Sequence, residues 1–148
     1  MIEDNDIFNT LTEQLEYLDI DPPLLIGWPN KDVAPGTPLP YLIVTHVPVS
    51  RTDDTLNGGG EISRGFIVIT VMSEIGLFTT ARLVKNGKGV LVPSVGVIAG
   101  KIKALYAYPL RLPVSGGSVT VNQPPDIQQG YPDGPHWRVP VKINYSAS

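Results

Sequence analysis

Fifteen prolines and fifteen glycines punctuate this 148-residue chain at short intervals, leaving little room for any long element. Proline removes a backbone donor and glycine opens turns, so both interrupt helices and ladders. They recur without a period, which excludes collagen-like and solenoid architectures and leaves many short elements joined by tight turns. A chain of this length reads as one domain, 1–148. It can bury about two-thirds of its unfolded surface, enough for a core without staples. The absence of cysteine removes disulfides and thiolate metal sites. No apolar run approaches the ~20 residues that cross a bilayer. Residues 1–6 are acidic, unlike a basic secretory leader. These features predict a protein made and used in the cytoplasm, or assembled there into something larger.

Between the breaks, residues 4–18 read as a helix. Asp4 or Asn5 is placed to cap it, and Ile7, Phe8, Leu11, Leu15 and Leu18 fall on one stripe. Asp6 suits the positive end of the helix dipole, and Asp21-Pro22-Pro23 stops the element. Residues 24–28 form a short strand, 30–40 a loop, and 41–49 a strand in which Pro48 marks an edge or a bulge. Residues 51–63, with Asn57-Gly58-Gly59-Gly60, read as a mobile hairpin connection. In 64–73, Phe66, Val68 and Thr70 alternate with Ile67, Ile69 and Val71, which predicts a central strand covered on both sides. Residues 77–84 fit a return strand or a short helix, with the strand favoured, and 86–89 a turn. Pro93 is expected in the first turn of a second helix, with Val95, Ile98, Ile102, Leu105 and Tyr106 on one stripe and Pro109 ending it. Gly96, Ala99, Gly100 and Ala104 leave a strip where a sheet or helix could come close. Each helical glycine costs about 1 kcal/mol, which packing must offset. A turn at 115–117 leads to a strand at 118–123, a Pro/Gly loop at 124–135, and a closing strand at 137–145. In that strand Trp137, Val139, Val141, Ile143 and Tyr145 face the core, and Arg138, Pro140, Lys142 and Asn144 face outward. The sum is an α+β fold: a mainly antiparallel sheet flanked by two helices.

The charge is unevenly laid out. Residues 1–21 hold seven acids and no base, whereas between Glu74 and Asp126 there are six bases and no acid: Arg82, Lys85, Lys88, Lys101, Lys103 and Arg111. Such segments either face one another, within a chain or between copies, or are two solvated faces. A net charge of −3 predicts no nucleic-acid affinity, and the bases lack the interleaved aromatics of a single-strand groove. Nothing in the sequence makes a catalytic, cofactor or metal site. His46 and His136 lack metal-ligand spacing. The glycine run lacks the lysine of a phosphate loop and opens onto a strand. Asp53-Asp54 could hold a divalent cation, but the EF-hand spacing is absent. No serine sits in a nucleophile elbow. Trp28 and Trp137 read as core or interface anchors.

The order of signals carries more than any one of them. An acidic helix precedes Gly27-Trp28-Pro29-Asn30. A Pro/Gly loop follows, ending in Pro38-Leu39-Pro40-Tyr41-Leu42-Ile43-Val44, and then a glycine-rich loop enters Arg64-Gly65-Phe66-Ile67-Val68-Ile69-Thr70-Val71. A helix ends in Ala107-Tyr108-Pro109, and the chain closes with Asp133-Gly134 and Arg138-Val139-Pro140-Val141-Lys142-Ile143-Asn144-Tyr145. Over residues 4–146 this succession resembles the tail-terminator-like proteins of long-tailed bacteriophages and prophages. Residues 73–91 are longer than the family pattern needs and read as an inserted hairpin. The resemblance implies a structural protein, not an enzyme and without cofactor. It implies a hexameric ring of identical subunits that caps the tail tube, stops its polymerisation and meets head-completion or neck proteins at the tail–neck junction of the virion. DNA is expected only in the ring lumen, with no sequence-specific contact, and no membrane is involved. Glu13 and Glu16 on one side and Arg82, Lys101, Lys103 and Arg111 on the other are the candidate subunit contact. Asp53, Asp54, Asn57 and Asp133, in the loops 50–63 and 124–135, are candidates for docking partners. Another neck or tube protein, or a standalone binding module, would share most of these features. A tube protein should polymerise without limit, and a module should stay alone.

Overall fold

The computed structural model describes residues 2–20, 24–29, 33, 37, 39–54, 60–74, 83–85 and 89–148; at 51–54 and 60–61 it describes the backbone alone. The expected stop at Asp21-Pro22-Pro23, most of the 30–40 loop, Asn57, Arg82 and all of 77–82 and 86–88 lie outside these residues.

The chain opens with α1 (Asp4–Glu13), which tightens into a 3-10 turn at Gln14–Tyr17. The N-cap is Glu3, without a side-chain capping bond, rather than Asp4 or Asn5. Ile7, Leu11 and Leu15 are buried as the stripe requires, with Phe8 and Leu18 half-buried beside them. Strands β1 (Ile26–Gly27), β2 (Tyr41–Asp54) and β3 (Gly60–Glu74) follow. β2 and β3 form a long antiparallel hairpin whose register slips between Pro48 and Ser50, the bulge that Pro48 predicted. Both strands run further than expected: much of the anticipated 51–63 loop is ladder, with Asp53 opposite Glu61 and Asp54 opposite Gly60.

A small two-stranded ladder, β4 (Leu83–Lys85) with β5 (Leu91–Pro93), precedes α2 (Val95–Leu105). Pro93 therefore ends a strand, and Ser94 is the N-cap, so the proline stands two residues before the helix instead of in its first turn. Ile98, Ile102 and Tyr106 are fully buried. β6 (Arg111–Val114), unforeseen in the sequence, pairs with β7 (Gly117–Val121) across the Ser115–Gly116 turn. The expected 124–135 loop contains two short strands, β8 (Asp126–Ile127) and β9 (Tyr131–Asp133), both paired to β10 (His136–Ala147). His136 is accordingly the first residue of a strand, not a loop residue.

The main sheet runs β1-β2-β3-β10-β7-β6, antiparallel except for β1 on β2. β3 and β10 lie at its centre. On β3 the side chains are buried on both faces only from Ile69 to Ser73; Phe66 and Val68 remain half-exposed on the outer face, where the Lys142 ammonium sits 4.3 Å over the Phe66 ring. The helices cover the inner face. α1 packs on β6 and β7, yet Phe8 also stacks on His46 of β2, so the sheet curls around this helix from one edge to the other. α2 packs on β3 and β10. The fold is α+β, as expected.

Candidate subunit interface

A second stripe on α1, offset from the buried one, repeats every four residues: Asp4, Phe8, Thr12, then Glu16 in the 3-10 turn. Thr12 turns its hydroxyl back onto the helix, donating to the Phe8 carbonyl at 2.9 Å and approaching that of Asn9 at 3.1 Å. This stripe forms one wall of an open groove of about 730 Å³, whose other wall is Ile26, Trp28 and Pro29 after β1 and His46 of β2.

The groove floor is aromatic. The Phe8 and His46 rings stack with centroids 5.4 Å apart and planes 18° apart, and Trp28 is 38 % exposed at the rim. His46 occupies an inward position of β2, where its Nε2 lies 2.7 Å from the Tyr145 hydroxyl. Burial lowers its pKa, partly opposed by the Asp4 carboxylate. The rim is acidic, lined by Asp4, Glu13 and Glu16. The floor residues were not foreseen as a group, although the four-residue spacing of Asp4, Phe8, Thr12 and Glu16 was a legible signal for a second helix face.

The bases lie elsewhere. Lys103 is exposed on α2. Lys101 donates to the Asp19 carbonyl and so ties α2 to the segment after the 3-10 turn. Gln14 Nε2 adds a bond to the Leu105 carbonyl at 3.2 Å. Arg111 is exposed on the edge strand β6, its Nε 3.0 Å from Ser118 Oγ. Three of the four members of the small-residue strip of α2 turn outward: Gly96, Gly100 and Ala104 are exposed, and a Cβ built on either glycine meets nothing within 4 Å among the described residues. Ala99, the remaining member of the strip, is buried in the core, so the chain itself packs against that part, while among the described residues nothing lies close to the two glycines.

Of the docking candidates, Asp53 and Asp54 end the distal part of β2, and Asp133 in β9 receives Arg138 Nε at 2.6 Å in a partly exposed ion pair. Among the described residues, no three His, Asp or Glu side chains converge as metal ligands. Among the described residues, no helix is long and apolar enough to cross a membrane.

A family model for the phage tail terminator protein matches residues 6–145. No protein of curated function matches the chain in sequence. Among solved structures, one protein that bears no functional name superimposes with a TM-score of 0.74, covering 100 % of this chain and 97 % of its own at 19 % identity. That likeness speaks to the fold alone.

Proposed function

The chain belongs to the phage tail terminator protein family, and on that premise we propose that its copies close into a hexameric ring that caps the tail tube, stops further tube growth and meets the head-completion proteins. A terminator of this family is a structural component of the virion. The finer reading, at the tail–neck junction, rests on one observation. Glu13 and Glu16 beside the α1 groove, and Lys103 and Arg111 on α2 and β6, give one subunit two exposed patches of opposite sign. A closed ring needs such a pair of unlike faces, because a heterologous contact repeats head to tail until the rotation closes. Growth of the tube then stops because the outer ring face offers no site for the next tube subunit.

The whole chain serves as one such unit. The β4–β5 ladder supports reading 73–91 as an inserted hairpin, with Leu83 and Leu91 exposed on its outer side as an apolar surface for a neighbouring virion protein. Assembly takes place in the host cytoplasm. Negative-stain imaging with mass measurement of the purified protein tests the reading. Discrete six-membered rings with a central hole are expected; open-ended polymers would mark a tube-like subunit and overturn the cap.

A further inference from the structure

We infer that the α1 groove receives the outward face of α2 from the next copy, so that the acidic, aromatic wall of one subunit holds the small-residue, basic helix of its neighbour. This rests on the ring reading above and names its contact. Three observations converge. The groove is open, with aromatic groups on its floor and carboxylates of Glu13 and Glu16 on its rim. The α2 face is flat, because Gly96, Gly100 and Ala104 succeed one another at four-residue spacing and carry little or no side chain. Lys103 stands on the same face, within reach of an acidic rim once the helix is seated.

The fit is mutual. A glycine in the middle of a helix weakens it, and within the chain nothing approaches Gly100 closely enough to use the missing side chain. A partner backbone does use it, since only a helix without side chains on one face can lie against an aromatic floor while its lysine reaches the rim. Charge agrees in sign on both sides: the 1–21 segment has no base, and the stretch between Glu74 and Asp126 no acid, so either segment repels its own copy. The contact therefore joins unlike segments, and the double-cysteine ladder below separates a head-to-tail ring from a reciprocal two-fold pair, which would stop at the dimer.

The chain has no cysteine, so introduced thiols report alone. Asn9 is exposed on the groove wall and Gly100 on the helix face. Under mild oxidation, Asn9→Cys mixed with Gly100→Cys is expected to give a covalent dimer that neither variant gives alone. The double variant is expected to give a ladder of multimers ending at the ring. Gly100→Leu, whose Cβ meets no described atom of its own chain within 4 Å, should leave the monomer at least as stable, since it removes a helical glycine, and weaken ring association at least tenfold. Rings of full mass that form without the cross-link, and unaffected by Gly100→Leu, would overturn the groove contact while leaving the ring intact. A thiol at Asn9 that instead captures the co-expressed tube protein would also overturn it. A monomer under all conditions, alone and with the tube protein, would remove the ring reading itself.

Discussion

Tyr145 shows how tightly a few residues are set where β2, β3 and β10 meet α1. Its hydroxyl pairs with His46 Nε2 at 2.7 Å, and it lies 2.7 Å from where a Cβ at Gly65 would stand. The same Cβ would be 2.7 Å from the Val47 carbonyl and 3.0 Å from Pro48 Cα. Backbone atoms beside a bulge cannot retreat as the tip of a side chain does. Gly65→Ala is therefore expected to destabilise the fold by about 1–3 kcal/mol in urea unfolding, and no loss would show that the bulge yields. His46, stacked on Phe8 and close to Asp4, gives a second prediction. Burial lowers its pKa, so below the ordinary imidazole value of 6.5 the unfolded chain takes up a proton before the folded one does. Stability is then lost as pH falls through that range. Melting temperature should drop between about pH 7 and about pH 5, and His46→Gln should flatten that slope. An equal slope in both proteins would assign the loss to other groups.

At the scale of elements, legibility followed the source of each element's stability. α1, α2 and β10 bury one regular face, so the pattern Ile7, Leu11, Leu15 and the alternation Val139, Val141, Ile143, Tyr145 announced them before any partner was known. β6, β8 and β9 have no such face. They are two to four residues long, Pro113 and Pro132 sit within β6 and β9, and β8 and β9 exist because β10 offers an unpaired edge to each. Nothing local in Tyr131-Pro132-Asp133 says that. Pro93 misled for a related reason: proline suits both a first helical turn and the end of an edge ladder, and pairing with Leu83 chose the second. The candidate interface was half legible. Charge segregation picked out Glu13, Glu16 and Lys103, but the groove beside the two acids needed α1 to meet Ile26, Trp28 and His46 across the fold. The bond from the buried Tyr106 hydroxyl to the Leu11 carbonyl, 95 residues apart, ties the end of α2 to α1 and is of the same long-range kind.

For the whole molecule, salt should separate what holds one subunit together from what holds subunits to each other. The core is apolar, built from residues such as Ile67, Ile69, Ile98, Ile102 and Ile143. A surface ion pair, Arg138 with Asp133, has side chains 29 % and 51 % exposed and contributes little. Raising ionic strength from about 0.1 M to about 1 M shortens the Debye length from ~10 Å to ~3 Å, which screens exposed charges and leaves apolar burial in place. The melting temperature of the single chain should barely move over that range. The proposed ring contact sets Glu13 and Glu16 against Lys103 at an exposed rim, so the protein concentration at which rings fall apart should rise with salt. Mass photometry across a salt series, beside thermal melts of Gly100→Leu as the monomer reference, measures both. Ring dissociation that does not rise with salt would take the charges out of the contact and leave the packing of α2 on the Phe8 and His46 rings and the Trp28 rim to hold it.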